Sequence, residues 1–370
     1  MKIQLKNTVE TIELIKAMAS ANGEVATKAR EAFAAKMGPV IQQVLNLMGT
    51  ANLVYKDWEY NEDDDASFPL DLFYGTGVDN VTVWQQNIAG GLGSALVTGL
   101  QELKISTYTL DSAVSVWEKA VKRGRLPYVS LAMNRMAQEL LAKQERNGWI
   151  VILKALGEAL TGTNKHVVTA GTANVLGLND FNKLLTRNAR INVAFNGGTP
   201  EARFSNGPTD MFFSPEMMEQ IRGFAYQPMN TRAGSLTTSG ATSLALPDSI
   251  RQEVFRNAGA TEIYGVTLHQ MIEFGVSQAY NTLFANQITG TINGPGGSAF
   301  ATGTDEVAVA VDLTREAVIR PVATNSETGG QVKVQVDDQF TKRSGKLGWF
   351  SKVEEGRVVL DSRVLTGIAV

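Results

Sequence analysis

Two histidines, His166 and His269, are the side chains most able to bind a metal ion or to move a proton near neutral pH. Neither has a second histidine three to five residues away, so the helical signatures of zinc enzymes are absent. The chain has no cysteine, which excludes disulfides, thiolate metal sites and cysteine nucleophiles, and no Gly-x-Ser-x-Gly motif occurs. A structural role is the simpler interpretation of both histidines.

Two glycine-rich stretches are candidates for phosphate-binding loops. Gly157 and Gly162 have the required spacing, but Thr163 stands where that loop needs a lysine to reach the phosphates. These glycines are therefore interpreted as the end of a helix and a turn. The glycines of residues 90–93 can surround an anion, but a hairpin or a hinge is the better interpretation of such a short pattern.

Charged clusters are the remaining candidates for chemistry. The acidic run at residues 62–65 lacks the alternating ligand spacing of a calcium loop, so a solvated turn is the simpler interpretation. The densest basic patch, residues 122–125, can form a solvated face, or contact nucleic acid or the acidic run of a neighbouring chain. Alternating charges near the C-terminal end fit solvation or contacts between chains: Asp312, Arg315, Glu316, Asp337, Asp338, Lys342 and Arg343. The sequence predicts no catalytic residue, no cofactor site and no metal site.

The composition is that of a protein with a large core. The 370 residues are 44% hydrophobic and 19% charged, which is enough for two or three domains. The formal net charge of -3 gives no electrostatic footprint for tight nucleic-acid binding. No run of 18 apolar residues occurs and the first 16 residues lack the features of a secretory signal, so no contact with a membrane is expected.

Apolar residues at helical spacing predict several helices. Residues 7–48 form a helical segment with breaks at Gly23 and at Gly38-Pro39, and one long helix covers about residues 128–160. Shorter helices are expected at residues 180–187 and from Pro247 to about residue 257.

Extended segments alternate with these helices. The runs at residues 81–84 and 103–108 predict a long two-stranded excursion, and strands are expected around residues 307–311 and 332–336. A strand at residues 211–213 is followed by Ser214 and Pro215, a good N-cap and first turn for a helix through Ile221. Loops are expected at residues 196–200 and 293–297. The fold class predicted is α+β.

The order of these elements is a helical N-terminal segment, a two-stranded excursion, a long central helix, an interrupted α/β region and closing strands. This order resembles the major capsid proteins of tailed bacteriophages with the Hong Kong 97-type fold, over nearly the whole chain. Two segments resemble the family locally. Residues 208–216 are similar to the strand-to-helix entry of its axial domain, and residues 332–336 and 368–370 are similar to its closing peripheral strands.

The resemblance implies a fold with an N-terminal arm, an extended β loop, a long spine helix, a peripheral domain and an axial domain. The implied boundaries are residues 1–50 for the helical arm, 51–108 for the extended loop and its base, 109–206 with 330–370 for the peripheral domain, and 207–329 for the axial domain. The spine helix, at about residues 128–160, would belong to the peripheral domain.

The resemblance also implies a function without catalysis. Such a subunit assembles into hexamers and pentamers of an icosahedral head around double-stranded DNA, in a virion built in the host cytoplasm. The implied partners are further copies, a portal, packaged DNA contacted without sequence preference, and a cement protein. Because arm-like helices open the chain, a separate scaffolding protein is expected. Contacts between subunits are expected at Trp84, Lys104, Tyr108, Arg123 and Arg125.

Two alternatives stay open at this point. An encapsulin-like nanocompartment shell would share the fold but hold enzyme cargo instead of a genome. A hydrolase or a binding protein that uses the acidic run and the Asn/Gly-rich loops would instead be a monomer or small oligomer with a concave pocket.

Overall fold

A computed structural model describes residue 3 and residues 8–20, 22–69, 102–161, 164–196, 207–223, 262–286, 293–314, 317–325, 330–337 and 345–370. These residues form an α+β fold that divides into two compact units. Unit 1 comprises Met1–Gln144 and Ile319–Val358, and unit 2 comprises Glu145–Val318 and Val359–Val370. The domain boundaries implied by the capsid resemblance stay predictions.

The described helices and strands alternate irregularly along the chain. The helices are α1 (Val9–Met18), α2 (Gly23–Met48), α3 (Ala51–Val54), α4 (Glu118–Lys122), α5 (Leu126–Glu158), α6 (Leu178–Asn196), α7 (Pro215–Gly223) and α8 (Ala279–Asn286). The strands are β1 (Lys56–Asn61), β2 (Ser67–Pro69), β3 (Glu102–Lys104), β4 (Tyr108–Trp117), β5 (Leu160–Thr161), β6 (Asn164–Lys165), β7 (Val167–Thr169), β8 (Asp210–Phe213), β9 (Glu262–Ile263), β10 (Val266–Gln270), β11 (Val307–Val311), β12 (Val318–Thr324), β13 (Lys333–Asp337), β14 (Lys346–Glu355), β15 (Val358–Val359) and β16 (Leu365–Ala369). In the part of the chain that the structure describes, no helix is both long and apolar enough to cross a bilayer.

The N-terminal helical segment is confirmed, with one correction. Helix α2 begins at Gly23 as predicted but continues through Gly38 and Pro39, where the sequence predicted a break. Proline removes one intrahelical hydrogen bond, which the burial of the apolar face of α2 against the sheet of unit 1 offsets. Gly38 serves this packing, because a Cβ there would lie only 3.2 Å from the Val332 carbonyl oxygen.

Unit 1 is built around a mixed sheet. Its strand order is β1-β12-β14-β13, with β4 on β14 and β15 on β12. Strand β1 runs parallel to β12, whereas β4 runs antiparallel to β14 from the pair Tyr108 and Glu355 to the pair Trp117 and Lys346. The sequence predicted an extended run that ended at Tyr108, but the alternation of Leu110, Val114 and Val116 carries β4 on to Trp117. The predicted strand at residues 332–336 is confirmed as β13.

The short strands β2 and β3 pair antiparallel at the two ends of residues 70–101. The predicted excursion therefore has a paired base. Its inner parts, the strand at residues 81–84 and the glycines of residues 90–93, lie outside the described residues, as do the predicted helix at residues 247–257 and residues 197–200.

The long helix is confirmed as α5, whose 33 residues span about 50 Å. It begins and ends two residues earlier than predicted. Leu160 was predicted inside it but lies in β5, where it pairs with Lys165 of β6. Helix α6 extends from Leu178 to Asn196, beyond the predicted residues 180–187, because its buried positions continue as far as Ile191.

The sheet of unit 2 has the strand order β7-β16-β11-β8-β10-β9. Its central strand β11 is buried along its whole length, so Ala308 and Ala310 lie in the core together with the valines that predicted the strand. The predicted turn at residues 293–297 is a short 3-10 turn at Pro295–Gly297, inside a bridge from Asn293 to Ala299. The predicted strand β8, its cap at Ser214 and helix α7 are all confirmed.

Candidate functional site

The two histidines have structural partners. His166 is buried, and its Nδ1 lies 2.8 Å from the Leu365 carbonyl oxygen. Burial lowers the pKa of His166, which keeps its ring neutral near physiological pH. His269 lies with Nε2 2.7 Å from an Asp210 carboxylate oxygen, and its ring stacks on Phe212. Both rings therefore have local contacts that account for their positions.

Thr209, Asp210 and His269 lie together but do not form a nucleophilic triad. The Thr209 hydroxyl donates to Asp210 Oδ2 at 2.7 Å, and His269 contacts the other oxygen of the same carboxylate. Asp210 therefore stands between the hydroxyl and the imidazole, whereas catalysis needs the imidazole beside the hydroxyl. The Thr209 oxygen also accepts from the Leu313 amide at 3.0 Å, which fixes the start of the turn after β11.

The acidic run at residues 62–65 forms an exposed turn between β1 and β2. Lys104 Nζ lies 2.8 Å from Asp65 Oδ2, and its hydrogen bond and charge lower the pKa of Asp65. Glu62 accepts a hydrogen bond from the Asn325 side chain. Over the described ranges, no three acidic, histidine or cysteine side chains converge on a common point that could hold a metal ion.

The charges near the C-terminal end are only partly described. Asp312 is buried and accepts from the Thr314 amide, so it stabilises the turn after β11. Asp337 ends β13. The other five residues of that set, Arg315, Glu316, Asp338, Lys342 and Arg343, lie outside the described residues, as do Gly162 and Thr163.

The structure reveals a buried ionic cluster in unit 1 that the sequence did not predict. Glu355 has no exposed surface, and its carboxylate lies 3.3 Å from Arg357 Nε and 3.9 Å from Arg320 Nη1. The Tyr108 hydroxyl donates to Glu355 at 2.9 Å, and the Gln144 side-chain amide donates at 3.1 Å. The carboxylate thus links β4, α5, β12 and β14.

A second carboxylate completes this ionic cluster. Arg320 donates two parallel hydrogen bonds of 2.7 Å to Asp57 of β1, and a third to Asn52. The Arg357 guanidinium lies 4.8 Å from the centre of the Tyr55 ring, and burial raises the pKa of the Tyr55 hydroxyl well above its ordinary value. Two acids and two arginines balance in charge, so each charged group of this cluster has a partner of opposite sign. No spacing in the sequence brings these residues together, so sequence patterns could not find it.

Of the five residues predicted at subunit contacts, Trp84 lies outside the described residues. Lys104 lies in β3 and pairs with Asp65, and both side chains are largely exposed. Tyr108 is half-buried and bonds to Glu355. Arg123 and Arg125 flank the tight turn between α4 and α5, and they are exposed. Contact with a neighbouring subunit stays a prediction for all five.

Arg123 and Arg125 border an exposed groove of about 400 Å³, formed by the end of β4, by α4 and by the start of α5. Three large apolar side chains are unusually exposed there, Trp117 at 63%, Tyr128 at 52% and Leu131 at 53%. Cations surround them, since Arg125 lies 5.8 Å from the Tyr128 ring centre and Lys346 lies 5.1 Å from that of Trp117. This basic aromatic groove has the side-chain types that commonly bind a protein partner.

Glu306 gives unit 2 an expected pH dependence. Its carboxylate is buried beside the Ser214 hydroxyl, which caps α7, and burial raises the pKa of Glu306. Because the folded pKa lies above the unfolded value, this group stabilises the fold at low pH, and the stabilisation is lost as pH rises through the raised pKa. The unfolding midpoint in urea of Glu306→Gln should therefore exceed that of the wild type at about pH 8, with a smaller difference at about pH 4.

The matched control is Glu219→Gln, which removes the same charge from an exposed position of α7. It should leave the pH dependence of the wild type unchanged. If Glu306→Gln and the wild type lose stability in parallel between these two pH values, Glu306 is not the responsible group.

No protein-family model matches the chain, and no curated protein sequence matches it. Solved structures of capsid and encapsulin proteins are similar to it. The capsid of the cyanophage P-SCSP1u shares 12% identity over 85% of this chain and 86% of that chain, with a TM-score of 0.46. The mature capsid of bacteriophage PhiM1 shares 8% identity over 86% of each chain, with a TM-score of 0.48. The SrpI encapsulin of Synechococcus elongatus shares 13% identity over 72% of this chain and 74% of that chain, with a TM-score of 0.40.

Proposed function

We propose that this chain is the major capsid protein of a tailed bacteriophage, a subunit that assembles into hexamers and pentamers of an icosahedral head. The order of its elements carries this proposal. Three N-terminal helices precede a strand pair that brackets residues 70–101, a 33-residue helix follows, and late strands complete both sheets. The capsid resemblance implied each of these parts in this order. The function rests on the shape of the subunit and uses no catalytic residue.

The basic aromatic groove supplies a surface for contact between subunits. Trp, Tyr and Arg dominate the binding energy of protein interfaces, and the groove exposes all three types. Its proposed occupant is the acidic turn, residues 62–65, of a second copy, whose charge is opposite. Within one chain, the side chains of that turn bond to Asn61, Lys104 and Asn325 instead.

A contact between a groove on one copy and a turn on the next joins two different surfaces. Such heterologous contacts form a closed ring when the successive rotations between copies add up to a full turn. A capsomer requires a closed ring of this kind. Arg123 and Arg125 would lie at the centre of this contact. The further partners of the proposed shell are double-stranded DNA inside it, a portal, a cement protein and, during assembly in the host cytoplasm, a separate scaffolding protein.

Charge reversal tests both proposals. Arg123→Glu with Arg125→Glu should lower ring and shell formation at least about tenfold, because like charges across an interface cost several kcal/mol. Adding Asp63→Lys and Asp64→Lys reverses the other surface and should restore assembly. Size-exclusion chromatography and negative-stain electron microscopy measure the products, with the protein expressed alone and with the scaffolding protein encoded beside it. The urea unfolding midpoint of each variant checks that the fold is intact.

The outcomes separate the function from the contact. A wild-type chain that stays a compact monomer under both conditions contradicts the capsid proposal. Wild-type shells that form equally well after Arg123→Glu with Arg125→Glu support the capsid proposal and exclude the groove as its subunit contact.

A further inference from the structure

The sheet of unit 1 has open edges on two opposite sides. Strands β1, β12, β14 and β4 lie side by side in this sheet, with β1 at one end of the row and β4 at the other. Among the described residues, β1 pairs only with β12 and β4 pairs only with β14. An edge strand presents backbone N–H and C=O groups that can bind a strand of another chain.

The hydrogen bonds just after these two strands show which backbone groups face outward. Along a strand, the backbone groups of successive residues point alternately to its two sides. The Glu62 amide donates to β12, so Asp57 and Glu59 direct their backbone groups away from β12. The Glu118 amide donates to the residue just before β14, so the odd-numbered residues of β4, within 109–117, face away from β14. These odd-numbered residues are all exposed.

The two edge strands run in the same direction. Strand β1 is parallel to β12, β12 is antiparallel to β14, and β14 is antiparallel to β4. When a second copy continues the sheet beyond β4 in the same orientation, its β1 therefore lies parallel to β4. The acidic turn at residues 62–65, which follows β1, then lies at the end of β4, beside Arg123 and Arg125. The strand directions and the charges thus select the same contact.

The charges beside β4 are complementary to those of β1. The lining of the basic aromatic groove includes the end of β4 and no acidic residue. Four cations belong to this lining: Lys119, Arg123, Arg125 and Arg135. Glu59 of β1 is exposed, and within its own chain it accepts a hydrogen bond from the uncharged Gln331 amide, which leaves its negative charge uncompensated. When Glu59 lies opposite Val114, β1 and β4 end within about one residue of each other.

We propose that β1 of one subunit pairs in parallel with β4 of the next, so that the sheets of unit 1 join into one continuous sheet around a ring. The inference rests on the proposed function and deepens its groove contact, because it adds backbone pairing beside the acidic turn. The Glu59 amide donates to the Ala113 carbonyl, and the Ser115 amide donates to the Glu59 carbonyl. These main-chain bonds supply affinity, and the charged groove sets the register.

Proline at position 113 tests the pairing without changing a side chain that lines the groove. Ala113→Pro removes an amide that faces away from β14, so the sheet within the subunit keeps its hydrogen bonds, and an edge strand tolerates such a proline. It should lower ring and shell formation at least about tenfold, because it removes a donor to β1 and its ring blocks the second strand. Ala113→Ser keeps the amide and should assemble like the wild type. Size-exclusion chromatography and negative-stain electron microscopy measure the products, with and without the scaffolding protein.

A disulfide between chains tests the register directly. The chain has no cysteine, so mixing Glu59→Cys with Val114→Cys introduces one thiol on each partner. Opposite residues of paired strands lie about 4.8 Å apart and point to the same face, which a disulfide can bridge. Under mild oxidation, the mixture should give a disulfide-linked dimer on a non-reducing gel. The matched control, Glu59→Cys with Ser115→Cys, places one thiol on the other face and should give about tenfold less.

The dimer is the deciding result. If no dimer forms, or if Val114→Cys and Ser115→Cys give equal amounts, the edge pairing is overturned, whatever Ala113→Pro does and even if that variant fails to fold. Shells that form in the absence of the dimer leave the capsid proposal standing. A dimer in a mixture that never forms shells supports the edge pairing and contradicts the capsid proposal. A chain that stays monomeric and gives no dimer contradicts both.

Discussion

Glu355→Ala is expected to lower the free energy of unfolding of unit 1 by about 3–5 kcal/mol, because it leaves the buried Arg357 guanidinium without its counter-charge. The Glu355 carboxylate is the centre of the ionic cluster, and Arg357 beside it has a fully buried side chain. The substitution also removes the acceptor for the Tyr108 hydroxyl and for the Gln144 amide. Each buried donor left without a partner adds to the cost.

The effect should extend through the sheet of unit 1, because this carboxylate connects strands that are distant in sequence. Hydrogen exchange measured by mass spectrometry can resolve it. Amides of β4, β13 and β14 should lose protection in Glu355→Ala, whereas amides of β8, β11 and β16 in unit 2 should keep theirs. Stability of the two units should be measured separately in this way, since a chain with two compact units need not unfold in one step.

Two further variants sharpen this test. Glu139→Ala removes the same charge from an exposed position of α5 and should change unfolding by no more than about 0.5 kcal/mol. Glu355→Met with Arg357→Met removes both charges of the most deeply buried pair and should be more stable than Glu355→Ala, because apolar side chains can replace a buried ion pair. If Glu355→Ala is as stable as Glu139→Ala, the cluster does not hold the sheet together.

The parts of this fold that could be predicted are those in which local pattern and tertiary packing agree. Helix α5 was predicted because its apolar positions recur at helical spacing over its whole length. Ser214 and Pro215 predicted the start of α7 from capping chemistry alone, and the Ser214 hydroxyl accepts from the Met217 amide as expected. In these segments, residues close together in the sequence are enough to predict the helix and where it begins.

Other parts depend on contacts that no local window contains. Pro39 predicted a break, but the burial of α2 against the sheet outweighs the one lost hydrogen bond. The predicted extended run ended at Tyr108, which is where β4 begins, although the alternation continues to Trp117. The length of β4 is set by its pairing with β14. The ionic cluster joins Asp57 to residues more than 260 positions later in the chain, so charge spacing could not reveal it. The groove was foreseen only through two of its cations, Arg123 and Arg125.

Trp149→Ala is expected to lower the free energy of unfolding of unit 2 by about 3–5 kcal/mol, the usual cost of removing a buried aromatic side chain. Trp149 is fully buried, and its ring centre lies 5.0 Å from that of Phe212, 5.4 Å from that of Phe274 and 5.8 Å from that of Tyr280. The substitution loses this apolar burial and three aromatic contacts, and it leaves a cavity among rings that belong to different elements.

Adding indole should restore part of the lost stability, because a small aromatic molecule can fill an apolar cavity. The matched control is Trp117→Ala in the exposed groove, which should leave the unfolding midpoint nearly unchanged, with or without indole. If Trp149→Ala costs less than about 1 kcal/mol, or if indole stabilises both variants equally, the aromatic cluster is not a main source of stability in unit 2.

Comparing Trp149→Ala with Glu355→Ala also tests the division of the chain, because the two substitutions are in different compact units. Independent units predict that each variant loses hydrogen-exchange protection only on its own side of the boundary between Gln144 and Glu145. That boundary lies within the residue range of α5. Loss of protection in both units for either variant would show that α5 couples them, and a subunit coupled in this way would unfold as one body.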